Sequence, residues 1–298
     1  MKIKVITILT AIGFLFLASC SVDDNKSDAY GNFEATELIV SAQANGELLL
    51  FNLEQGDMIK KDKIVGLIDT TDLALKKKLL IQQKHTISSQ LVSIDSEMEV
   101  VKQQLANNRT NQKRIKKLYA KGAATQKQLD DINGLVDLNE AQIRAVQSKK
   151  QSIQDQMTGI DVQVEQVNEI IKKSLIKNPV GGTVLLKYAE QGELAGVGKP
   201  LYKLADLSRM KLKAYISGDQ LAQIKIGQEV EVLYDKNREE NTSIQGRITW
   251  ISPSAEFTPK TIQTKEERVN LVYAVKVLVT NNGEIKIGMP GEFNFIAH

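Results

Sequence analysis

Apolar residues recur at alternating three- and four-residue steps along two long stretches of this 298-residue chain. The first stretch runs from Leu73 to Tyr119 and the second from Leu129 to Ile171. Such spacing is the heptad seam of a coiled coil, and each arm of about 47 residues would be roughly 70 Å long as an α-helix. The break at 121–125 contains Gly122, suited to a helix C-cap, and Thr125, suited to an N-cap. The pattern predicts an antiparallel hairpin over 72–174 with its tip at 120–126.

Folding the second arm back on the first brings the two apolar seams into register along their whole length. The paired positions would be Ile115 with Ile132, Val101 with Val146, Ile94 with Ile153, Ile87 with Ile160, and Leu80 with Val167. The same register places Asn108 opposite Asn139 in otherwise apolar seams. A buried amide pair of this kind can fix register at a cost in stability, so we predict that these two residues are a register pair. A freestanding dimeric coiled coil is the alternative interpretation of the heptads alone.

The segments on either side of the hairpin, 36–71 and 175–206, are two copies of one motif. When Gly46 is aligned with Gly182, residues 54–57 (EQGD) fall on 190–193 (EQGE) and Val65 falls on Leu201. Each copy predicts a short strand, a glycine turn followed by an acid, and a second strand. Neither copy can bury a core alone. We therefore expect them to pack together as a lipoyl-like β-sandwich that the hairpin interrupts.

Residues 207–298 contain alternating stretches separated by Gly, Asn and Pro turns, which predicts a small antiparallel β-barrel. A short helix is expected at 218–224. Trp250 is expected to be a core residue, because its neighbours alternate between apolar and polar. The predicted fold class is thus α+β and elongated: a long coiled-coil hairpin inserted into a split lipoyl-like sandwich, followed by a β-barrel.

The N-terminus combines a short basic start with an apolar run from Val5 to Ala18, which is shorter than the roughly 20 residues that span a bilayer. This pattern is typical of a secretory signal. The residues Leu17-Ala18-Ser19-Cys20 resemble the bacterial lipobox, in which the cysteine is lipidated. We predict a lipoprotein signal peptide at 1–19, a lipid on Cys20 and a flexible tether at 20–35. An ordinary signal peptide with an incidental cysteine is the alternative.

Composition narrows the possible chemistry. A single cysteine excludes an intramolecular disulfide framework and any multi-thiolate metal site, and two histidines leave little for histidine-based catalysis. The net charge of +3 is too small to argue for nucleic acid. No Ser-His-Asp set, phosphate loop or metal cluster is visible. The repeated motif resembles a biotinyl or lipoyl carrier domain, but it lacks a Met-Lys-Met-like tripeptide. We expect no enzymatic activity, no metal and no cofactor apart from the lipid on Cys20.

The order of segments resembles the HlyD-type membrane fusion proteins, also called periplasmic adaptor subunits. The residues that carry this resemblance are Pro179–Val184, Gly192-Glu193, Gly198–Leu201, Asp206–Ser208, Ala255–Lys260, Arg268 and Gly288–Gly291. The resemblance implies that the hairpin tip docks on a TolC-type outer-membrane channel through an arginine, a leucine and a serine. This chain has Arg114, Leu118 and Thr125 at that spacing, with threonine where the family has serine.

The same resemblance implies an inner-membrane transporter as a second partner, and the short chain with a single β-rich tail favours an ABC-type exporter. It also implies assembly as a homo-oligomer, a hexameric ring in the complex, at the periplasmic side of the cell envelope with the lipid in the inner membrane. No nucleic-acid partner is expected. The alternative function is a lipid-anchored coiled-coil spacer of the cell envelope without a transport role.

Overall fold

The computed structural model describes residues 27–235, 241–257 and 271–296. The predicted signal peptide and Cys20 lie outside these residues, as do 258–260 and Arg268 of the motifs named above. The chain divides into two compact units. One contains Leu38–Leu204, and the other combines the residues up to Glu37 with those from Ala205 onward.

Strands and helices are numbered here in chain order, within the described residues. They are β1 (Ala29–Glu34), β2 (Glu37–Ser41), β3 (Gly46–Phe51), β4 (Met58–Ile59), β5 (Ile64–Ile68), α1 (Thr71–Tyr119), α2 (Gln126–Ser174), β6 (Leu175–Lys177), β7 (Gly182–Lys187), β8 (Leu194–Ala195), β9 (Pro200–Ala205), β10 (Arg209–Ser217), α3 (Gly218–Leu221), β11 (Glu229–Asp235), β12 (Asn241–Ile251), β13 (Glu256–Phe257), β14 (Leu271–Thr280) and β15 (Pro290–Phe295).

Helices α1 and α2 form the hairpin, and each has 49 residues. Their heptad positions meet along the seam, as in the cluster of Leu80, Ile160 and Val167. A second cluster joins Ile94 and Met98 to Val146. Few side chains of α1 are fully buried, because a two-helix seam covers only one stripe of each helix.

The segments on either side of the hairpin form two four-stranded sheets, in the orders β2-β9-β7-β4 and β6-β5-β3-β8. Each sheet therefore contains strands from both copies of the repeat. Adding 136 to the residue numbers of β3 and β4 gives those of β7 and β8, the offset of the sequence alignment. Residues of both copies, among them Leu48, Ile68, Val184 and Leu201, share one core. The predicted split sandwich is confirmed.

The second unit is a closed barrel in which six strands follow the order β10-β1-β15-β11-β12-β14, and β14 pairs back with β10. Strand β13 extends the sheet beyond β14. The inward positions alternate along each strand, as Met210, Leu212 and Ala214 do on β10, and all are fully buried. This closed arrangement confirms the predicted β-barrel.

The predicted tether at 20–35 is wrong over its last residues, since Ala29–Glu34 forms β1 between β10 and β15. Ala29 and Phe33 point into the barrel core. Gly31 lets β1 approach β10, because a Cβ there would lie 1.9 Å from the carbonyl oxygen of Lys213. Gly291 on β15 leaves the space that the Phe33 ring fills, since its Cβ would lie 2.5 Å from that ring. The space left at these two glycines therefore allows Ala29–Glu34 to pack as a strand of the barrel.

Two further predictions about the barrel are wrong. Helix α3 covers Gly218–Leu221 and is shorter than the predicted 218–224, although Ile224 is buried against the core. Trp250 is not a core residue: its side chain is 38% exposed. Strand β12 shifts register relative to β14 between Ile248 and Trp250. Because a bulge of this kind breaks the two-residue alternation, Ile248 points inward and Trp250 does not.

Candidate functional site

The hairpin tip is a turn that both helices stabilise. Gly122 adopts φ +68°, its N–H donates to the Tyr119 carbonyl (3.0 Å), and the Ala123 N–H donates to the Leu118 carbonyl (2.9 Å). This is the hydrogen-bond pattern of a Schellman motif, which glycine favours. Thr125 begins α2 with a capping box: its hydroxyl accepts from the Gln128 N–H, and the Gln128 side chain accepts from the Thr125 N–H. The turn is therefore well defined at both ends.

Arg114 and Leu118 lie one helical turn apart on the last part of α1. They line one open groove of about 410 Å³ together with Thr110, Lys113, Lys117 and Lys121. The Arg114 guanidinium donates to the Asn111 side-chain oxygen at 2.8 Å, which holds it along the helix. Leu118 is 38% exposed. We call this set of six residues the tip groove.

Thr125 is exposed but does not line the tip groove. Its hydroxyl oxygen accepts the Gln128 N–H at 3.2 Å, so the residue acts in the helix cap. The structure thus brings two of the three predicted docking residues, Arg114 and Leu118, onto one face and places the third in the turn. The docking role of all three stays a prediction.

The tip also carries positive charge that its own side chains do not neutralise. Six cations surround it: Lys113, Arg114, Lys116, Lys117, Lys121 and Lys127. In the part of the chain that the structure describes, none of them is in an ion pair, whereas the arms carry four cross-arm pairs. Those pairs join Lys84 to Asp161, Arg109 to Glu140, Lys149 to Glu97 and Lys150 to Asp95. The tip is therefore suited to an acidic or carbonyl-rich surface.

The predicted register pair is in contact. The Asn108 amide donates to the Asn139 side-chain oxygen at 2.7 Å, and the Asn139 amide donates to Gln142 at 3.0 Å. Asn139 is 6% exposed. The amides are therefore satisfied within the seam, while their effect on register stays a prediction.

The docking residues predicted from the sequence are Arg114, Leu118 and Thr125, and do not include Lys113, Lys117 or Thr110. The structure places all three in the tip groove beside Arg114. Their recurrence at three- and four-residue steps was the available signal, since such positions share one face of a helix.

Comparison with known proteins agrees with this architecture. Residues 206–297 match the family model described as LcnD-like, C-terminal domain. A UPF0194 membrane protein of Yersinia enterocolitica, YE2891, is 24% identical over 99% of this chain and 97% of its own length. The UPF0194 membrane protein YbhG of Salmonella arizonae is 25% identical over 92% of this chain and 90% of its own length. Among the described residues, no helix is long and apolar enough to cross a membrane.

Two solved structures share the fold. The chain has the fold of a membrane fusion protein, which confirms the resemblance inferred from the sequence at the level of the fold. The membrane fusion protein Spr0693 of Streptococcus pneumoniae R6 superposes with a TM-score of 0.52 at 12% identity, over 90% of this chain and 98% of that one. MacA from Actinobacillus actinomycetemcomitans superposes with a TM-score of 0.60 at 21% identity, over 89% of this chain and 76% of that one.

Proposed function

We propose that the protein is a non-enzymatic adaptor of the cell envelope, which connects an inner-membrane exporter to a TolC-type outer-membrane channel. The observation that carries this proposal is the tip groove. Arg114 and exposed Leu118 share one face at the end of the hairpin, among cations that have no ion pair in the described residues. Exposed leucines occur elsewhere on the hairpin, as at Leu79. What distinguishes Leu118 is that it lines one groove together with Arg114 and four further residues at the end of the hairpin.

The finer features of this function follow from the sequence and the resemblance. The lipid on Cys20 would hold the chain at the inner membrane, with the β-barrel and sandwich on the periplasmic side. Copies would assemble as a hexameric ring, and an ABC-type exporter would supply the energy. A ring is closed by many weak contacts, so its assembly should be weak without partners.

The length of the two hairpin arms supports this role. Each arm has 49 residues, which at 1.5 Å per residue is about 70 Å. The cross-arm ion pairs and the apolar seam hold the arms together over that distance. The tip can therefore present a defined surface to a partner far from the sandwich that supports it.

The test is co-purification of the tagged, full-length chain from its own cells, with and without a tip variant. The wild-type chain is expected to retain both an inner-membrane transporter and an outer-membrane channel. Arg114→Asp combined with Leu118→Ser is expected to lose the channel by at least tenfold and keep the transporter, because only the tip surface changes.

The matched control is Lys102→Asp with Leu79→Ser, which alters one exposed cation and one exposed leucine of α1 away from the tip. It should retain both partners. A tip variant that retains the channel at the wild-type level would refute tip docking. A wild-type chain that retains neither partner would instead favour the structural spacer.

A further inference from the structure

The outer face of the barrel carries a row of cations on β10. Its inward residues Met210, Leu212 and Ala214 are fully buried, so alternation places Arg209, Lys211 and Lys213 on the outside. Like charges at every second position of one strand repel each other. Such a row is not needed for the barrel core, which the inward residues form.

Strand β14 adds a fourth cation to this face. Lys276 lies directly opposite Lys213 in the register of β10 and β14. Like charges directly opposite each other destabilise a sheet. Each of these two lysines has a carboxylate at the outer limit of ion-pair distance: Glu34 lies 3.9 Å from Lys276, and Glu256 lies 4.0 Å from Lys213. Such partly exposed pairs contribute little. The cations are therefore only weakly neutralised.

Trp250 stands beside these cations because of the bulge in β12. The Lys276 ammonium lies 5.5 Å from the centre of the indole ring. A half-exposed tryptophan next to a cation offers an apolar surface and a charge at the same place.

These side chains line a cavity of about 600 Å³ on the barrel, which we call the basic groove. Its charged and aromatic residues are Arg209, Lys211, Lys276, Trp250 and Asp206, and Thr36, Thr249 and Leu278 complete it. The carboxylate of Asp206 already accepts from the Ser208 N–H and hydroxyl, at 3.0 and 2.6 Å. Lys211 donates to the neutral Thr36 hydroxyl at 3.1 Å. The groove thus has three cations and one carboxylate, which leaves it with a net positive charge.

We propose that the basic groove binds a phosphate group, carried either by the headgroup of an anionic phospholipid or by a soluble phosphate compound. A phosphate presents several acceptor oxygens, which match the guanidinium fork of Arg209 and the ammonium groups of Lys211 and Lys276. Its charge relieves the repulsion between the cations of the face. Trp250 packs against the apolar part of the ligand next to the phosphate. This proposal does not depend on the adaptor function.

The groove contains its own probe, since Trp250 is the single tryptophan of the chain. The experiment uses the chain from residue 20 onward with Cys20→Ser, which removes the predicted lipidation site. Its tryptophan emission is titrated with vesicles of phosphatidylcholine containing about 30% phosphatidylglycerol, whose anionic headgroups give the vesicle a negative surface potential. Pure phosphatidylcholine vesicles, and inorganic phosphate at constant ionic strength, are titrated in parallel. We expect a saturable change in emission with the anionic vesicles and no change with the neutral ones.

Arg209→Gln combined with Lys276→Gln is expected to weaken this binding at least tenfold. The control, Lys225→Gln with Lys286→Gln, removes two cations from exposed positions elsewhere on the barrel and should bind as the wild type does. Circular dichroism verifies that both variants fold. If the groove variant does not fold, Lys211→Gln alone serves in its place, with vesicle flotation as the readout.

The two phosphate sources give different results. Competition of inorganic phosphate against anionic vesicles identifies the lipid headgroup, and a response to phosphate without vesicle binding identifies a soluble ligand; both support the groove. Equal vesicle binding by the wild type and the groove variant would overturn the proposal. A groove that responds to neither anionic vesicles nor inorganic phosphate would also overturn it.

Discussion

The hairpin and the sandwich each contain a buried asparagine that is hydrogen-bonded to another side chain, but the two asparagines differ in their remaining partners. In the hairpin, Asn108 and Asn139 bind mainly each other across an apolar seam. In the sandwich, fully buried Asn178 accepts from the Tyr202 hydroxyl at 3.0 Å and donates to backbone carbonyls that include Lys60 of the first copy. The first pair has only side-chain partners, which include the exposed Gln142, whereas Asn178 also satisfies backbone carbonyls that no substitution removes.

This difference determines how much stability is lost when each buried polar side chain is replaced by an apolar one. When both partners of a pair can be replaced together by apolar side chains, the loss of the hydrogen bond is nearly neutral or even stabilising. When one partner is the backbone, no substitution removes it, and its carbonyl is left without a donor. We therefore expect replacement of Asn178 to destabilise the sandwich, and joint replacement of Asn108 and Asn139 to stabilise the hairpin.

The largest effect is expected for Asn178→Leu. This change keeps the approximate volume but leaves the Val180 carbonyl and the Tyr202 hydroxyl without their Asn178 partner. The Lys60 carbonyl keeps only the long contact of 3.4 Å from the Lys63 N–H. The sandwich should lose about 3 kcal/mol of stability. Hydrogen exchange of the β5 and β7 amides, which reports this domain, is the measurement. Exposed Asn52→Leu is the control and should change stability by less than about 0.5 kcal/mol. A sandwich that is unchanged or more stable would contradict the comparison.

Tyr202→Phe should have an intermediate effect of about 1 to 2 kcal/mol, because it leaves the Asn178 side-chain oxygen without its donor. It should also change the alkaline limit of stability. Burial raises the pKa of Tyr202 to about 12, from 10.0 for an exposed tyrosine. The neutral hydroxyl is thus favoured in the folded state, and this contribution is complete below pH 10 and is lost as the pH rises towards 12.

Over that interval, the free energy of unfolding of the wild type should fall more steeply with pH than that of Tyr202→Phe, by up to about 1.4 kcal/mol per pH unit. The free energy of unfolding at each pH between 9 and 12 would be obtained by linear extrapolation of urea titrations. Tyr188→Phe, at a 42% exposed tyrosine, is the control and should follow the wild type. Parallel curves for Tyr202→Phe and the wild type would show that Tyr202 does not titrate in this way.

The smallest effect, with the opposite sign, is expected for Asn108→Leu with Asn139→Leu. The hairpin should become more stable by about 1 kcal/mol and its register less specific. Register can be measured by disulfide formation in a Cys20→Ser background. Val101→Cys with Val146→Cys reports the native register, and Val101→Cys with Ile153→Cys reports a slip of one heptad. Lower stability with an unchanged preference for the native pair would refute the proposed register role.

The hairpin and the sandwich could be predicted from the sequence because their signals are repetitive. The heptads continue over two arms, and the two copies of the sandwich motif align at a fixed offset, so each position is supported by many others. At the tip, the capping roles of Gly122 and Thr125 follow from residue type alone. The groove that Lys113 and Lys117 share with Arg114 needed the helix geometry.

The features that could not be predicted depend on partners far away in the chain. Strand β1 has only six residues, and what makes it a strand is the space at Gly291 and the approach to Lys213. The position of Trp250 depends on a bulge that no local pattern announces. The contact of Asn178 with Tyr202 is also hidden, since the repeat offset places Ala42 and Gly66 at the equivalent positions of the first copy.

The position of β15 between β1 and β11 has a consequence for how the chain matures. The hairpin arms meet around a short turn, and their contacts can form outward from that turn without any residue that follows α2, so they can form early. The barrel needs Gly31 beside Gly291, a contact between the two ends of the described chain. A chain that stops before Pro290 leaves β1 and β11 each with an unpaired edge, which is prone to pair with other chains. Only a chain that has been synthesised through β15 can therefore close this barrel.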